Sequence, residues 1–313
     1  MAAEEIRLDA LPDGLIGGTV AIGNFDGVHR GHQSVLAAAL EGPRPVLALT
    51  FEPHPRAFFA RAPIFRLTPA DEKARLVEAL GLDALVVADF DAALAGLHAD
   101  HFVETVLVER LRAQHVVVGH DFKYGARRLG NAAHLAGMGA RHGFGVRIVP
   151  AFSEGSEPVS SSRVRALLAE GDVVTAARLL GYRYRIAAPV IHGQKLGRTM
   201  GYPTANMALE PANGLRHGIY AVRALVGGVW HDGVASFGRR PTFDNGAPLL
   251  ETFVFDFSGD LYGKPVRIAF ERFLRPELKF EGMDALMAQM DADSADARAA
   301  LAGIAPLSRP MRG

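Results

Sequence analysis

Through the first half of this chain, short apolar runs alternate with segments of helical periodicity. Thr19–Gly23, Val46–Phe51, Ala84–Ala88, His115–Gly119 and Val146–Val149 are brief and rich in Val, Ile or Leu, the pattern of strands buried on both faces. Between them, Gly31–Leu40, Pro69–Leu80, Asp100–Leu111 and Asn131–His142 carry apolar residues at helical spacing. A strand, a helix and another strand in this rhythm imply right-handed crossovers, hence an α/β doubly wound parallel sheet. Two further helical segments, Ser161–Glu170 and Val173–Leu180, are separated by Gly171-Asp172.

After Gly181 the rhythm stops. Arg185–Ile191, Gly218–Val226, Val229–Phe237, Glu251–Phe257 and Val266–Phe273 read as strands with Gly-, Pro- and Asn-rich turns and no helices between them. Five or six antiparallel strands of this kind predict a small β-barrel, and Met283–Leu301 adds a C-terminal helix. A chain of 313 residues exceeds the roughly 250 at which single cores stop growing. Two domains, 1–182 and 183–313, are therefore expected. The 34 basic and 34 acidic residues cancel, whereas a chain held to nucleic acid by phosphate neutralisation is usually basic. Nucleic acid is not an expected partner. There is no cysteine, which removes disulfides, thiolate metal sites and thiol nucleophiles. An acidic N-terminus without an apolar core, and no apolar run of membrane-spanning length, predict a cytoplasmic protein with no membrane partner.

The first constellation is Gly23-Asn24-Phe25-Asp26-Gly27-Val28-His29-Arg30-Gly31-His32, directly after the first strand and opening the first helix. Open α/β sheets bind ligands at the C-terminal ends of their strands, and a helix N-terminus offers free N–H groups to an anion. His29 and His32 are one helical turn apart, so both rings can face the same phosphates. Two histidines near a helix start are by themselves usually solvated surface residues; the ten residues around them shift that reading. Ser160–Ser162, opening a later helix with Arg165, read either as an ordinary N-cap or as further anion donors.

This stretch resembles the HxGH signature of the nucleotidyltransferase superfamily. In its longer form it is similar to the FMN adenylyltransferase module of bacterial FAD synthetases. Phe51-Glu52-Pro53-His54-Pro55, Val118–Gly125 and Val159–Arg165 extend the likeness, each at a strand end or a helix start. The resemblance implies that Gly23, Phe25, Gly31, Ser161, Ser162 and Arg165 bind ATP phosphates together with His29 and His32. FMN brings its own phosphate anion as nucleophile, so the demand is for cations and donors at the leaving pyrophosphate. Pro53, His54, Pro55, Phe59 and Asp121 are the corresponding flavin-side candidates. His54 and Phe59 also fit a rigid turn with a packed aromatic, and Asp121 either orients substrate, approaches Mg²⁺ or caps a turn.

The second constellation is Gly193-Gln194-Lys195-Leu196-Gly197-Arg198-Thr199-Met200-Gly201-Tyr202-Pro203-Thr204-Ala205-Asn206. Gly193, Gly197 and Gly201 with Lys195 and Arg198 describe a loop able to wrap phosphates, although the P-loop spacing is absent. Thr204 and Asn206, two apart on an extended segment, project to one side and offer hard oxygens to Mg²⁺ held jointly with ATP. The stretch resembles the PTAN loop of riboflavin kinases, and Gly218–Ala221, Gly238–Phe243, Glu251–Phe257 and Arg275–Phe280 continue the match. By that resemblance Glu251 is a general base for a hydroxyl that is otherwise a poor nucleophile. Alternation puts Asp256, five residues on, on the face opposite Glu251, which makes it structural, while Arg239 and Arg240 fit either a nucleotide contact or a turn. Departures are small: Lys123-Tyr124 stands where such enzymes often have Arg-Phe, and Ser236 where they often have Asn.

The expectation is a bifunctional enzyme acting on riboflavin, FMN and ATP to form FAD, with Mg²⁺ accompanying ATP. The alternatives are an HxGH adenylyltransferase for another phosphate acceptor and a flavin-binding regulator with vestigial sites.

Overall fold

The computed structural model describes residues 5–192, 202–239 and 248–305. The chain divides into two compact units, the first running to Ser161 and the second beginning at Ser162.

The first unit is built on a six-stranded, wholly parallel sheet. In space its strands run Glu5–Arg7, Ala84–Asp89, Val46–Glu52, Thr19–Ile22, His115–Gly119, Gly145–Val149. Thr19–Ile22 and Val46–Glu52 are the central strands, and almost every residue in them is buried because helices cover both faces. Gly145–Val149 is an edge and tolerates charge: Arg147 there pairs with Glu41 at 2.5 Å. The crossover helices begin and end on local signals. Asn131 caps Ala132–His142 by accepting the His134 N–H, and Gly143 terminates it at a φ of 81°.

Two features depart from the sequence pattern. Glu5–Arg7 adds an edge strand against Leu85–Val87, too short to register as a periodic run. The expected helix Asp100–Leu111 starts as α-helix at Ala99–Phe102 and continues as π-helix over Val103–Arg110.

The second unit is a six-stranded antiparallel sheet in the order Arg185–Pro189, Pro265–Arg275, Gly218–Val226, Val229–Arg239, Pro248–Val254, Thr204–Ala208. The Ile191 N–H donates to the Asn206 carbonyl at 2.8 Å, joining the two edges and nearly closing the barrel. Gly227 and Gly228, both at positive φ, make the two-residue turn of its longest hairpin. Tyr220, Phe237, Leu250 and Phe270 are fully buried. The helix Met283–Ala302 packs Ala297 and Leu301 on Ala221 and Phe255.

One strand begins earlier than the pattern implied. It spans Pro248–Val254, because Pro248, Leu249 and Leu250 are themselves buried in the barrel wall. Glu251 is therefore mid-strand rather than at a strand start. Asp256 lies beyond the strand at a φ of 53°, so alternation along it does not set its side.

Candidate functional site

In the first unit the strand order reverses between Thr19–Ile22 and His115–Gly119, and the loop Gly23–His29 leaves the sheet at that point. The loop is strained. Phe25, Gly27 and Val28 have φ of 47°, 85° and 34°, and a left-handed β-branched residue persists only where its surroundings impose it. Asp26 supplies much of that constraint. Its buried Oδ1 accepts from the N–H groups of Leu67 at 2.9 Å and Thr68 at 3.1 Å, while the Gly27 N–H donates to Thr68 Oγ1 at 2.9 Å. The Thr50 hydroxyl donates to the Asn24 carbonyl at 3.0 Å, and Ser161 Oγ donates to the Asp26 carbonyl at 2.9 Å. Sequence reasoning passed over Asp26; its only signal was an Asp before Gly in a loop that opens a helix.

His29 is the N-cap of the helix Arg30–Ala39, its Nδ1 accepting the His32 N–H at 3.2 Å. That bond fixes the tautomer of the neutral ring: with Nδ1 an acceptor, the proton sits on Nε2, which becomes the donor to a ligand. The two imidazoles are brought together, stacked 3.6 Å apart at 15°, and Phe25 braces His32 edge-on at 5.5 Å. Two of the motif's three glycines, Gly23 and Gly31, leave little room for a side chain. A Cβ on Gly31 would sit 3.2 Å from the His29 ring and 3.4 Å from the Val159 carbonyl, and one on Gly23 would sit 3.0 Å from the Phe25 ring.

Pro53, His54 and Pro55 follow the end of Val46–Glu52. His54 is buried and caps the short helix Pro55–Ala60, accepting the Arg56 N–H at 3.1 Å. Phe59 on that helix is 67% exposed, and its ring meets Phe58 and Phe90 edge-on. Asp121 is exposed just after His115–Gly119, with Oδ1 3.3 Å from where a Gly119 Cβ would lie. Ser161 is committed to the Asp26 carbonyl. Ser162 and Arg165 continue the same helix in the second unit.

In the second unit Thr204 and Asn206 lie on the edge strand Thr204–Ala208, facing away from the interior that Ala205 and Met207 fill. Glu251 is the register partner of both Asn206 and Ser236, which sets the carboxylate between them on the outer face. Asn206 is 5% exposed. Its Nδ2 donates to the Thr204 carbonyl at 3.2 Å, while its buried Oδ1 has no partner among the described residues. A buried acceptor without a donor is costly, and a hard oxygen beside a threonine hydroxyl suits a magnesium ion. Tyr202, just before this strand, hydrogen-bonds to Asp291 of the terminal helix and packs edge-on to Phe253. Gly193, Lys195, Gly197, Arg198, Gly201 and Arg240 lie outside the described residues. Arg239 donates to the Pro211 carbonyl at 3.1 Å. Asp256 makes a bidentate pair with Arg298, at 2.9 and 3.0 Å, which holds its carboxyl below the usual aspartate range.

A family model described as FAD synthetase matches residues 14–163, and one described as riboflavin kinase matches residues 180–301. A Haemophilus influenzae protein named bifunctional riboflavin kinase/FMN adenylyltransferase is 41% identical over 292 residues, covering 91% of this chain and 94% of that one. Its Escherichia coli namesake is 39% identical over 90% of this chain and 92% of that one. The chain belongs to the bifunctional riboflavin kinase/FMN adenylyltransferase family.

Within that family the two matched regions account for the two constellations: Gly23–His32 lies in the first and Thr204, Asn206 and Glu251 in the second. A Streptococcus pneumoniae crystal structure described as a macrolide-efflux protein also shares the fold. It has a TM-score of 0.82 at 28% identity, covering 94% of this chain and 98% of that one. Its name speaks of transport, yet among the described residues of this family member no helix is long and apolar enough to cross a membrane.

Proposed function

We propose that this chain phosphorylates riboflavin with ATP to give FMN and ADP, then adenylylates FMN with a second ATP to give FAD and pyrophosphate. The observation that carries the reading is that one chain holds both constellations, each matched by its own family model. We assign adenylylation to residues 1–182 and phosphorylation to 183–313, although from Ser162 onward the intervening helices group with the second unit. ATP as substrate of both steps favours a cytoplasmic setting.

In adenylylation, an FMN phosphate oxygen attacks the α-phosphorus of ATP and pyrophosphate departs. The nucleophile is already an anion, so the protein's task is to meet charge on the leaving group. His29, donating through Nε2, and His32 stacked on it are the groups we assign to that charge. The helix start at Arg30 adds its N-terminal dipole. Gly23, Phe25 and Gly31 shape the loop around them. Pro53, His54, Pro55, Phe59 and Asp121 are assigned to the flavin side.

In phosphorylation, the terminal hydroxyl of riboflavin must lose its proton as it attacks the γ-phosphorus. Glu251 is assigned as the base that accepts it. Directly opposed cross-strand residues have Cβ atoms about 5 Å apart, so Glu251 and Asn206 work side by side. Thr204 and Asn206 would hold Mg²⁺ bound with ATP, which supplies neutralisation of the phosphate charge. The experiment is direct: riboflavin with Mg·ATP is incubated with the wild-type protein and the flavins are separated by chromatography. FMN is expected first and FAD after it. If riboflavin returns unchanged, the reading is wrong.

A further inference from the structure

Beneath the adenylylation site lies a buried charge that the chemistry above does not use. Lys73, on the helix Ala70–Ala79, is 2% exposed and ranks among the largest fully buried side chains. Its Nζ donates to Thr50 Oγ1 at 3.3 Å and to Glu52 Oε1 at 3.4 Å. Arg66 completes the cluster with an ion pair to the same Glu52 oxygen. Thr50 is spending its single hydroxyl hydrogen on the Asn24 carbonyl, so toward Lys73 it can only accept. The chain of donation therefore runs one way: the Lys73 ammonium, the Thr50 hydroxyl, the Asn24 carbonyl.

This relay joins two places that the reaction needs to keep in register. Asn24 begins the strained loop that carries Phe25 under His32 and ends at the His29 cap. Glu52 ends the neighbouring strand and leads directly into Pro53, His54 and Pro55. We infer that Lys73 is a positioning residue for adenylyl transfer, locking the loop after the first central strand to the end of the second. The inference rests on the proposed function, since it assumes that adenylylation occurs between these strand ends.

Space-filling alone does not account for a lysine here. A methionine would fill a similar volume without the desolvation of an ammonium. Burial indeed pushes the Lys73 pKa down, the Glu52 carboxylate opposes it, the Arg66 guanidinium adds to the lowering, and Asp26 adds to the opposition. The ion is thus kept in an unfavourable place among two acids that both border the site.

Two variants test this. Lys73→Met removes the ammonium, and Thr50→Val removes only the bridging hydroxyl while keeping shape and charge. Both are assayed for FMN adenylylation, with riboflavin phosphorylation in the same preparation as the control for folding and concentration. Misplacement of reacting groups by about 1 Å costs up to roughly 10²-fold in rate. Adenylylation kcat should fall roughly ten- to a hundredfold in Lys73→Met and about tenfold in Thr50→Val, with KM for ATP within about twofold and the kinase rate unchanged. A Thr50→Val kcat equal to wild type, a change confined to KM, or parallel loss of both activities overturns the role. A wild-type protein that makes no FAD from FMN overturns the function itself and the role with it.

Discussion

Gly31→Ala separates catalytic geometry from stability within a single methyl group. Gly31 is the second residue of the helix Arg30–Ala39, where alanine is favoured over glycine by about 0.8 kcal/mol. Against this, the new Cβ would lie 3.2 Å from the His29 ring, tighter than a relaxed contact, with the Val159 carbonyl at 3.4 Å blocking retreat. The His29 ring must move by a few tenths of an ångström. Its cap bond to the His32 N–H is already 3.2 Å long, and a lost N-cap costs about 1 kcal/mol. The two terms nearly cancel, so the thermal midpoint should shift by no more than about 3 °C. The catalytic consequence does not cancel. Displacing one preorganised donor of transition-state charge costs roughly 10²–10³ in rate, and partial displacement should cost about tenfold or more in adenylylation kcat. The assay follows FMN to FAD by chromatography beside riboflavin to FMN and a thermal melt. Wild-type adenylylation in a folded Gly31→Ala protein would refute the placement of His29 in the chemistry. Equal loss of both activities would show that the substitution unfolds the chain instead.

Other expectations follow from single contacts. Asp26→Ala strips two backbone N–H groups of a charged acceptor; at about 1.5 kcal/mol each, the first unit should lose about 3 kcal/mol, read by denaturant unfolding, and adenylylation should fail while phosphorylation persists. Lys73 carries a pKa pushed below the ordinary lysine value of 10.5 by burial. Between the folded and unfolded values the unfolded chain binds the extra proton, so stability should rise with pH across that window and be flat below it. Unfolding free energies measured against pH should lose that rise in Lys73→Met. Asp256→Asn should leave both the melt and the kinase rate close to wild type, because the Arg298 pair is exposed and asparagine tolerates positive φ.

The fold was legible where physics is local. Buried strands such as Val46–Glu52 announce themselves by composition, and Asn131 and Gly143 mark their helix by hydrogen-bonding and φ requirements that any chain shares. Legibility failed where long-range pairing decides. Glu5–Arg7 becomes a strand only because Leu85–Val87 offers it an edge, and no three-residue run can advertise that. Thr204–Ala208 completes the barrel by pairing with Leu249–Phe253, although it read as the extended end of a glycine loop. The site shows the same division. The histidines and glycines of Gly23–His32 carry a recognisable spacing, but the supports of that loop come from far along the chain. Leu67 and Thr68 hold Asp26, Thr50 holds Asn24, and Lys73 holds Thr50. Glu251 and Asn206 are 45 positions apart, and only the register of two antiparallel strands makes them neighbours.

Two active constellations in one chain make a claim that a paired knockout tests most directly. The double variant His29→Ala with His32→Ala and the single variant Glu251→Gln are each given riboflavin, then FMN, with Mg·ATP, and the flavins are separated by chromatography. The histidine variant should convert riboflavin to FMN and stop there. Glu251→Gln should leave riboflavin untouched and still turn added FMN into FAD. Loss of both steps in each variant, or loss of the opposite step, would contradict the assignment of one reaction to each constellation.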